Sequence, residues 1–254
     1  MLLELVDTHA HLEDIENLDE ALRRAEKAGV VAVVTMGSDY ESNLWALEES
    51  LKHQRGNLRI HPALGLHPWS LDPSKIDANI RFIKENIGRS IAIGEIGLDY
   101  WYRDVRKSPE KKGLQRELFQ RLLELAKRND KPVSIHSRGA WADCLDIAVE
   151  TGVEKAVFHW YSGPLDVLRK LLDRGYYISA TPAAAYSKEH RAAIQNTPME
   201  NLVLETDSTV TYQGLPSEPA HLLKTLSAVA NLKGEKRETV AEKTTGNARL
   251  IFKI

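Results

Sequence analysis

The sequence predicts an α/β fold, a single (β/α)8 barrel spanning residues 1–254, and three observations predict it. The chain has 254 residues, 43% of them hydrophobic, which is long for a two-layer domain and matched to a barrel of about 250 residues. Short β-branched, apolar runs alternate with longer amphipathic ones, eight times over. The short runs are apolar on both faces, as the strands of a buried parallel sheet are. An open doubly wound sheet shares the alternation but has no preference for eight units.

Taken in order, residues 5–7 close an apolar run over 2–6 and precede a helical stretch over 18–28. Residues 30–36 precede 42–53, 60–66 precede 76–87, and 90–94 precede a helix over 114–128. The second half repeats the scheme: 132–135 with 140–149, 155–158 with 165–174, 176–180 with 188–196, and 202–204 with 218–232. Gly29, Gly152 and Gly175 each stand between a helical run and the next strand, where a left-handed cap is wanted. Residues 235–254 read as one closing helix, and no internal repeat or second domain interrupts the pattern.

The formal charge of -2 provides no global basic field. Nucleic-acid binding would therefore rest on a local Arg/Lys cluster or on metal ions. Cys144 is the only cysteine, which excludes an internal disulfide and fits a reducing compartment. Glu4 and Asp7 interrupt the first apolar stretch, and no run approaches the ~18 apolar residues of a membrane span. The expectation is a cytoplasmic protein with no membrane association and no obligate protein partner.

Asp7-Thr8-His9-Ala10-His11 carries two imidazoles at i and i+2 at a strand end. Side chains at that spacing share a face about 6.5 to 7 Å apart, near enough to close on one ion with bonds of about 2.0 to 2.1 Å. Further candidate ligands fall at the ends of other strands: Glu95 on the fourth, His136 on the fifth, His159 on the sixth and Asp207 after the eighth, with none on the seventh. That is the barrel end where such enzymes build their active sites. Strand 8 closes beside strand 1, so His9, His11 and Asp207 can hold one ion and His136 and His159 a second, with Glu95 bridging the two. Two divalent ions, by ligand softness Zn, Mn, Fe or Co better than Mg, about 3.5 to 4 Å apart would lower the pKa of a shared water and stabilise the attacking and leaving oxygens of a hydrolytic displacement. Asp207 is placed as ligand and general base, and Arg138 offers a planar fork suited to phosphate. His53, His190 and His221 lie in helical stretches and read as solvated, while His61 falls at the wrong barrel end. His67, before Pro68 at the functional rim, either touches substrate or caps the turn.

With these residues assembled, the chain resembles the TatD-type metal-dependent hydrolases of the amidohydrolase-like superfamily. The motifs that carry the resemblance are Asp7-Thr8-His9-Ala10-His11, Gly65-Leu66-His67-Pro68, Gly94-Glu95-Ile96-Gly97-Leu98-Asp99-Tyr100, His136-Ser137-Arg138, His159-Trp160-Tyr161-Ser162-Gly163 and Glu205-Thr206-Asp207-Ser208. The resemblance implies a (β/α)8 barrel, a two-metal site of His9, His11, Glu95, His136, His159 and Asp207, and metal-dependent deoxyribonuclease activity of 3′-5′ exonuclease character supported by Mg or Mn. The chain departs from the family pattern after His159, after Arg138 at Gly139, and in the turn after Asp207. All three are loops that shape the pocket.

The aromatic residues bear on the substrate. Trp69, Trp101, Trp141 and Trp160 follow the strand ends that bear His67, Glu95, His136 and His159, with Tyr100, Tyr102, Tyr161 and Tyr212 near them. Aromatic faces there would stack unpaired bases, or would pack against the barrel rim. Arg103, Arg106, Lys107, Lys111 and Lys112 form a basic segment before the fourth long helix, interrupted by Asp104 and Glu110. Single-stranded DNA or DNA ends are the expected substrate, with His67, Arg138, Trp160 and Tyr100 as contacts. A small phosphoester or amide substrate, or a non-catalytic ligand-binding barrel, are the alternatives.

Overall fold

The computed structural model describes residues 3–54 and 56–254; Leu2, part of the first apolar run, lies outside them. Eight strands form one parallel sheet in sequential order: β1 (Leu5–Ala10), β2 (Val30–Met36), β3 (Arg59–Leu64), β4 (Ala92–Gly97), β5 (Val133–His136), β6 (Ala156–Phe158), β7 (Tyr177–Ala180) and β8 (Leu202–Leu204). The ends meet where Ala10 bridges Ser208, with Asp207 N–H donating to the His9 carbonyl at 3.0 Å. Helices alternate with the strands on the outside: α1 (Leu18–Lys27), α2 (Tyr40–Glu48), α3 (Ile76–Asn86), the short α4 (Arg103–Arg106), α5 (Pro109–Arg128), α6 (Trp141–Thr151), α7 (Leu165–Asp173), α8 (Lys188–Asn196), α9 (Leu222–Lys233) and α10 (Arg237–Phe252).

The predicted (β/α)8 barrel is the observed fold, and the differences lie at element ends. β1 and β4 run further than the apolar patterns suggest, because His9 and Glu95 are themselves buried inside the strands. Helix α5 starts five residues early: Ser108 caps it by accepting the Lys111 N–H, and Pro109 occupies the first turn, where no N–H is required. Helix α2 stops at Glu48, and residues 50–53 form a separate 3-10 turn. Beyond β8, the strands β9 (Thr211–Tyr212) and β10 (Leu215–Pro216) make a small hairpin that periodicity did not predict, since two-residue strands carry no period.

The core is a layer of Leu, Ile and Val between the barrel wall and the helices, with a second apolar cluster of Val6, Val34, Met36, Val157, Val203 and Phe252. That second cluster closes the barrel beneath the site. No helix among the described residues is long and apolar enough to cross a membrane.

Candidate metal centre

Among the described residues, the buried carboxylates and imidazoles, His190 excepted, collect at one end of the barrel. His9, His67, Glu95, Asp99, His136, His159, Glu205 and Asp207 are all buried there, and most of them border a cavity of about 700 Å³ at the C-terminal mouth. Buried charge without partners is strongly unfavourable, so the contacts among these groups define what the mouth is for.

Glu95 is the hub. Its Oε1 lies 2.7 Å from His136 Nδ1, 2.7 Å from His159 Nε2 and 3.4 Å from His67 Nε2, while Oε2 lies 3.4 Å from both His9 Nε2 and His11 Nε2. Asp207 Oδ1 stands 3.7 Å from His9 Nε2 and 3.9 Å from His11 Nε2. The backbone of Glu95 is locked as well: its N–H donates to the Gly37 carbonyl at 2.9 Å, passing so close to Gly65 that a Cβ there would overlap the Glu95 backbone.

The two expected halves lie against each other. His159 is not confined to the His136 side, because its ring stacks on that of His9 with centroids 4.1 Å apart and 15° between planes. The groups whose donor atoms converge are His9, His159 and Asp207; His9, His11 and Glu95; and His67, Glu95 and His136. His67, expected only to touch substrate or cap a turn, thus stands at ligand distance from the hub.

These residues fit divalent cations. Ring nitrogens face one another at 3.4 Å (His9 Nε2 and His11 Nε2) and at 3.3 Å (His136 Nδ1 with His67 Nε2 and with His159 Nε2). Four tetrahedral ligands at about 2.0 to 2.1 Å from one ion are separated by about 3.3 to 3.4 Å, the same spacing. The electrostatics agree. Burial alone would raise the Glu95 carboxyl, but His67, His159, His9 and His11 outweigh it and hold it well below the ordinary range. Burial lowers the imidazoles, yet His11, through Glu13 and Glu95, and His159, through Glu95 and Glu205, end well above their ordinary value. The cluster draws positive charge to the nitrogens a cation would take. His67 is pushed down to about 4, mainly by burial, so it presents a neutral ring. Burial leaves Asp207 above the usual carboxylate range despite the nearby imidazoles.

A shell of carboxylates and hydroxyls orients these rings, a role sequence reasoning did not assign. Asp99 Oδ2 accepts from His136 Nε2 at 2.9 Å, Glu205 Oε1 stands 3.4 Å from His159 Nδ1, and Ser134 Oγ lies 3.1 Å from His9 Nδ1. Asp7 accepts from both the N–H and the hydroxyl of Thr206, at 2.9 and 2.6 Å, tying β1 to the segment that carries Asp207. The available signal was that Asp7, Asp99 and Glu205 sit within four residues of candidate ligands; histidine ligands are regularly oriented by a carboxylate on the far nitrogen. Two residues here have positive φ, Asp207 at 47° and Trp160 at 41°. For bulky Trp160 that is an unfavourable conformation, and its N–H is held by Ser179 Oγ at 2.8 Å and Glu205 Oε1 at 3.0 Å.

Of the expected substrate contacts, His67, Arg138 and Trp160 line the cavity. Tyr100 does not. Its ring is buried in the core with the Lys112 ammonium 4.7 Å from its centroid, because α5 packs over it. Lys111 of the basic segment pairs with Asp104 at 2.7 Å, and none of that segment borders the cavity. His190 is not solvated either: it is fully buried, with Nδ1 donating to the Tyr161 carbonyl at 2.8 Å and Nε2 accepting the Thr181 N–H at 3.1 Å. The helical pattern placed it correctly, but α8 turns that residue inward.

A barrel whose C-terminal mouth gathers carboxylates and imidazoles around converging donor atoms defines the class of metal-dependent hydrolases. The sequence profile described as "TatD related DNase" matches residues 6–253. An uncharacterized metal-dependent hydrolase, TatD, of Mycobacterium tuberculosis is 32% identical over 98% of this chain and 97% of its own length. Deoxyribonuclease TATDN3 of Homo sapiens is also 32% identical, over 98% of this chain and 94% of its own. The crystal structure of YJJV, a TatD homologue from Escherichia coli, superposes with a TM-score of 0.87 at 25% identity, covering 100% of both chains. This chain belongs to the TatD-related DNase family of metal-dependent hydrolases.

Proposed function

We propose that this protein is a two-metal phosphodiesterase that degrades DNA from single strands or ends, with 3′-5′ exonuclease polarity. One observation carries the reading: the two oxygens of Glu95 face two different sets of imidazoles, Oε2 toward His9 and His11 and Oε1 toward His67, His136 and His159. A bridging carboxylate between two cations has that disposition. His9, His11 and Asp207 would hold one ion and His136 and His159 the other. Bound there, the ions supply Lewis acidity, lowering the pKa of a water and neutralising charge on the phosphodiester.

The chain's own residues supply the rest. Asp207, raised by burial, is poised to accept the proton of the attacking water. Arg138 presents its guanidinium at the cavity wall for the non-reacting phosphate oxygens. Asp99 and Glu205 keep the rings of His136 and His159 aimed inward. Imidazole donors suit Zn by softness, while the carboxylates Glu95 and Asp207 suit Mg or Mn. The name of the human relative, a deoxyribonuclease, supports DNA as substrate.

A small phosphoester or amide substrate is the second reading, and one observation favours it: among the described residues, Arg138 is the one Lys or Arg lining the cavity. The deciding experiment incubates metal-loaded protein with end-labelled single-stranded DNA and with a panel of small esters and amides. Stepwise shortening of the DNA from its 3′ end upholds the first reading; turnover confined to the small compounds rejects it. Chelation should abolish either activity, and elemental analysis of the reloaded protein should give two equivalents of metal.

A further inference from the structure

We propose that Trp69 is a stacking platform for one unpaired nucleobase, held beside the metal centre so that the attached phosphate meets Arg138. This rests on the phosphodiesterase reading and names the part of a nucleotide that the cavity wall selects.

Trp69 is unusual in being both exposed and fixed. It is 56% exposed, yet its indole Nε1 donates to Asp99 Oδ2 at 2.9 Å and its backbone N–H donates to His67 Nδ1 at 3.1 Å. A tryptophan kept for packing buries its ring, and one free at a surface moves. Here the ring is ordered before any ligand arrives, so a stacked base does not have to order it.

The indole also has room for a flat partner. His67, Tyr102 and His136 meet it edge-on, with planes at 79°, 70° and 69°, so none of them lies flat against it. Of the other tryptophans near the mouth, Trp141 and Trp160 are half-buried, against Tyr161 and Tyr212, and Trp101, as exposed as Trp69, already carries the Arg138 guanidinium over its ring. The Trp69 ring centroid lies 4.7 Å from that of His67 and 5.9 Å from that of His136, which sets a base stacked there next to the centre.

Arg138 is prepared from the same side. Its guanidinium carbon sits 4.9 Å from the Trp101 ring centroid and 5.6 Å from that of Tyr102, and the side chain lines the same cavity as Trp69. Cation–π contact holds the fork while leaving its donors for a phosphate. In a duplex both faces of a base are covered by its neighbours, so the platform selects an unpaired or terminal nucleotide, and it does so without reading sequence.

The test uses the metal-loaded protein, Trp69→Ala and Trp69→Phe, with oligonucleotides ending in normal or in abasic nucleotides. The ratio of kcat/KM for normal over abasic ends should fall about 5- to 150-fold in Trp69→Ala, the range expected for loss of one base–aromatic stack. Trp69→Phe, which keeps a π face without the indole N–H, should restore most of that ratio. An unchanged ratio in Trp69→Ala overturns the proposal. Equilibrium binding of deoxynucleoside monophosphate against deoxyribose 5-phosphate decides independently of turnover. Tighter binding of the nucleotide, lost in Trp69→Ala, upholds the platform even where no DNA is cleaved; equal binding of both ligands by the wild type overturns it even where DNA is cleaved.

Discussion

Asp99 and His136 are joined at 2.9 Å through Asp99 Oδ2, the oxygen that also receives the indole N–H of Trp69 at 2.9 Å. One carboxylate therefore orients an imidazole at the centre and an aromatic ring at its rim. Its other oxygen, Oδ1, accepts the Trp101 N–H at 2.8 Å, so the loop after β4 is anchored by the same side chain. Burial raises this carboxyl, but His136 and the N–H donors outweigh burial and keep it below the ordinary range, as an acceptor.

Asp99→Asn should therefore impair the centre without unfolding the barrel. Replacing a carboxylate that orients a histidine ligand typically costs about 10- to 100-fold in metal affinity or activity. Metal titration and kcat/KM should both show the loss, with a melting transition that stays cooperative. Unaltered affinity and activity would mean that His136 is held by its other contacts alone.

Asp207→Ala should reduce turnover to background under saturating metal. The folded state should survive, because burial disfavours the Asp207 charge and its removal relieves that penalty. Circular dichroism and thermal melting of the metal-free variant should match or exceed those of the metal-free wild type. An active variant would remove Asp207 from proton transfer.

Gly65→Ala and Gly246→Ala should have opposite signs. At Gly65 a Cβ would overlap the Glu95 backbone, so the substitution displaces β4 and costs about 1 to 3 kcal/mol by overpacking, along with activity. Gly246 lies inside α10 with nothing near its prospective Cβ, and Ala there should stabilise by roughly 0.5 to 1 kcal/mol through helix propensity. Denaturant melts of the two variants read both effects directly.

His190 should give the fold a dependence on acid. Burial, reinforced by the nearby His159, pushes its pKa down to about 4 from 6.5, outweighing the Tyr161 carbonyl and Glu205, and its Nε2 must stay unprotonated to accept the Thr181 N–H. Below pH 6.5 the unfolded chain binds a proton that the folded chain refuses, so this residue's contribution is lost as pH falls toward about 4. The window corresponds to about 3 kcal/mol. Asp7, raised to about 8 chiefly by burial, tilts stability the other way, so the measurement is a difference: unfolding free energies of wild type and His190→Gln between pH 7 and 4. The wild-type advantage should shrink across that interval; a constant gap would exclude His190 as its source.

The barrel was legible in the sequence because its strands are buried on both faces and its helices on one, and each pattern is local. Glu95, His136, His159 and Asp207 were legible as a candidate set because each lies close to the C-terminal end of a strand, and parallel strands of a barrel all end at the same mouth. The hairpin of β9 and β10, the inward turn of His190 and the burial of Tyr100 under α5 were not, since each depends on what a neighbouring element covers.

By itself, then, the sequence determined eight strand–helix units, the candidate metal ligands near their ends and the family resemblance, all properties written in residue type and spacing along the chain. Tertiary structure alone decided that His159 stacks on His9, that His67 reaches Glu95, and that Asp99 links His136 to Trp69. Those relationships arise when closing the barrel brings side chains from separate strands within a few ångströms, and separation along the chain carries no record of that distance.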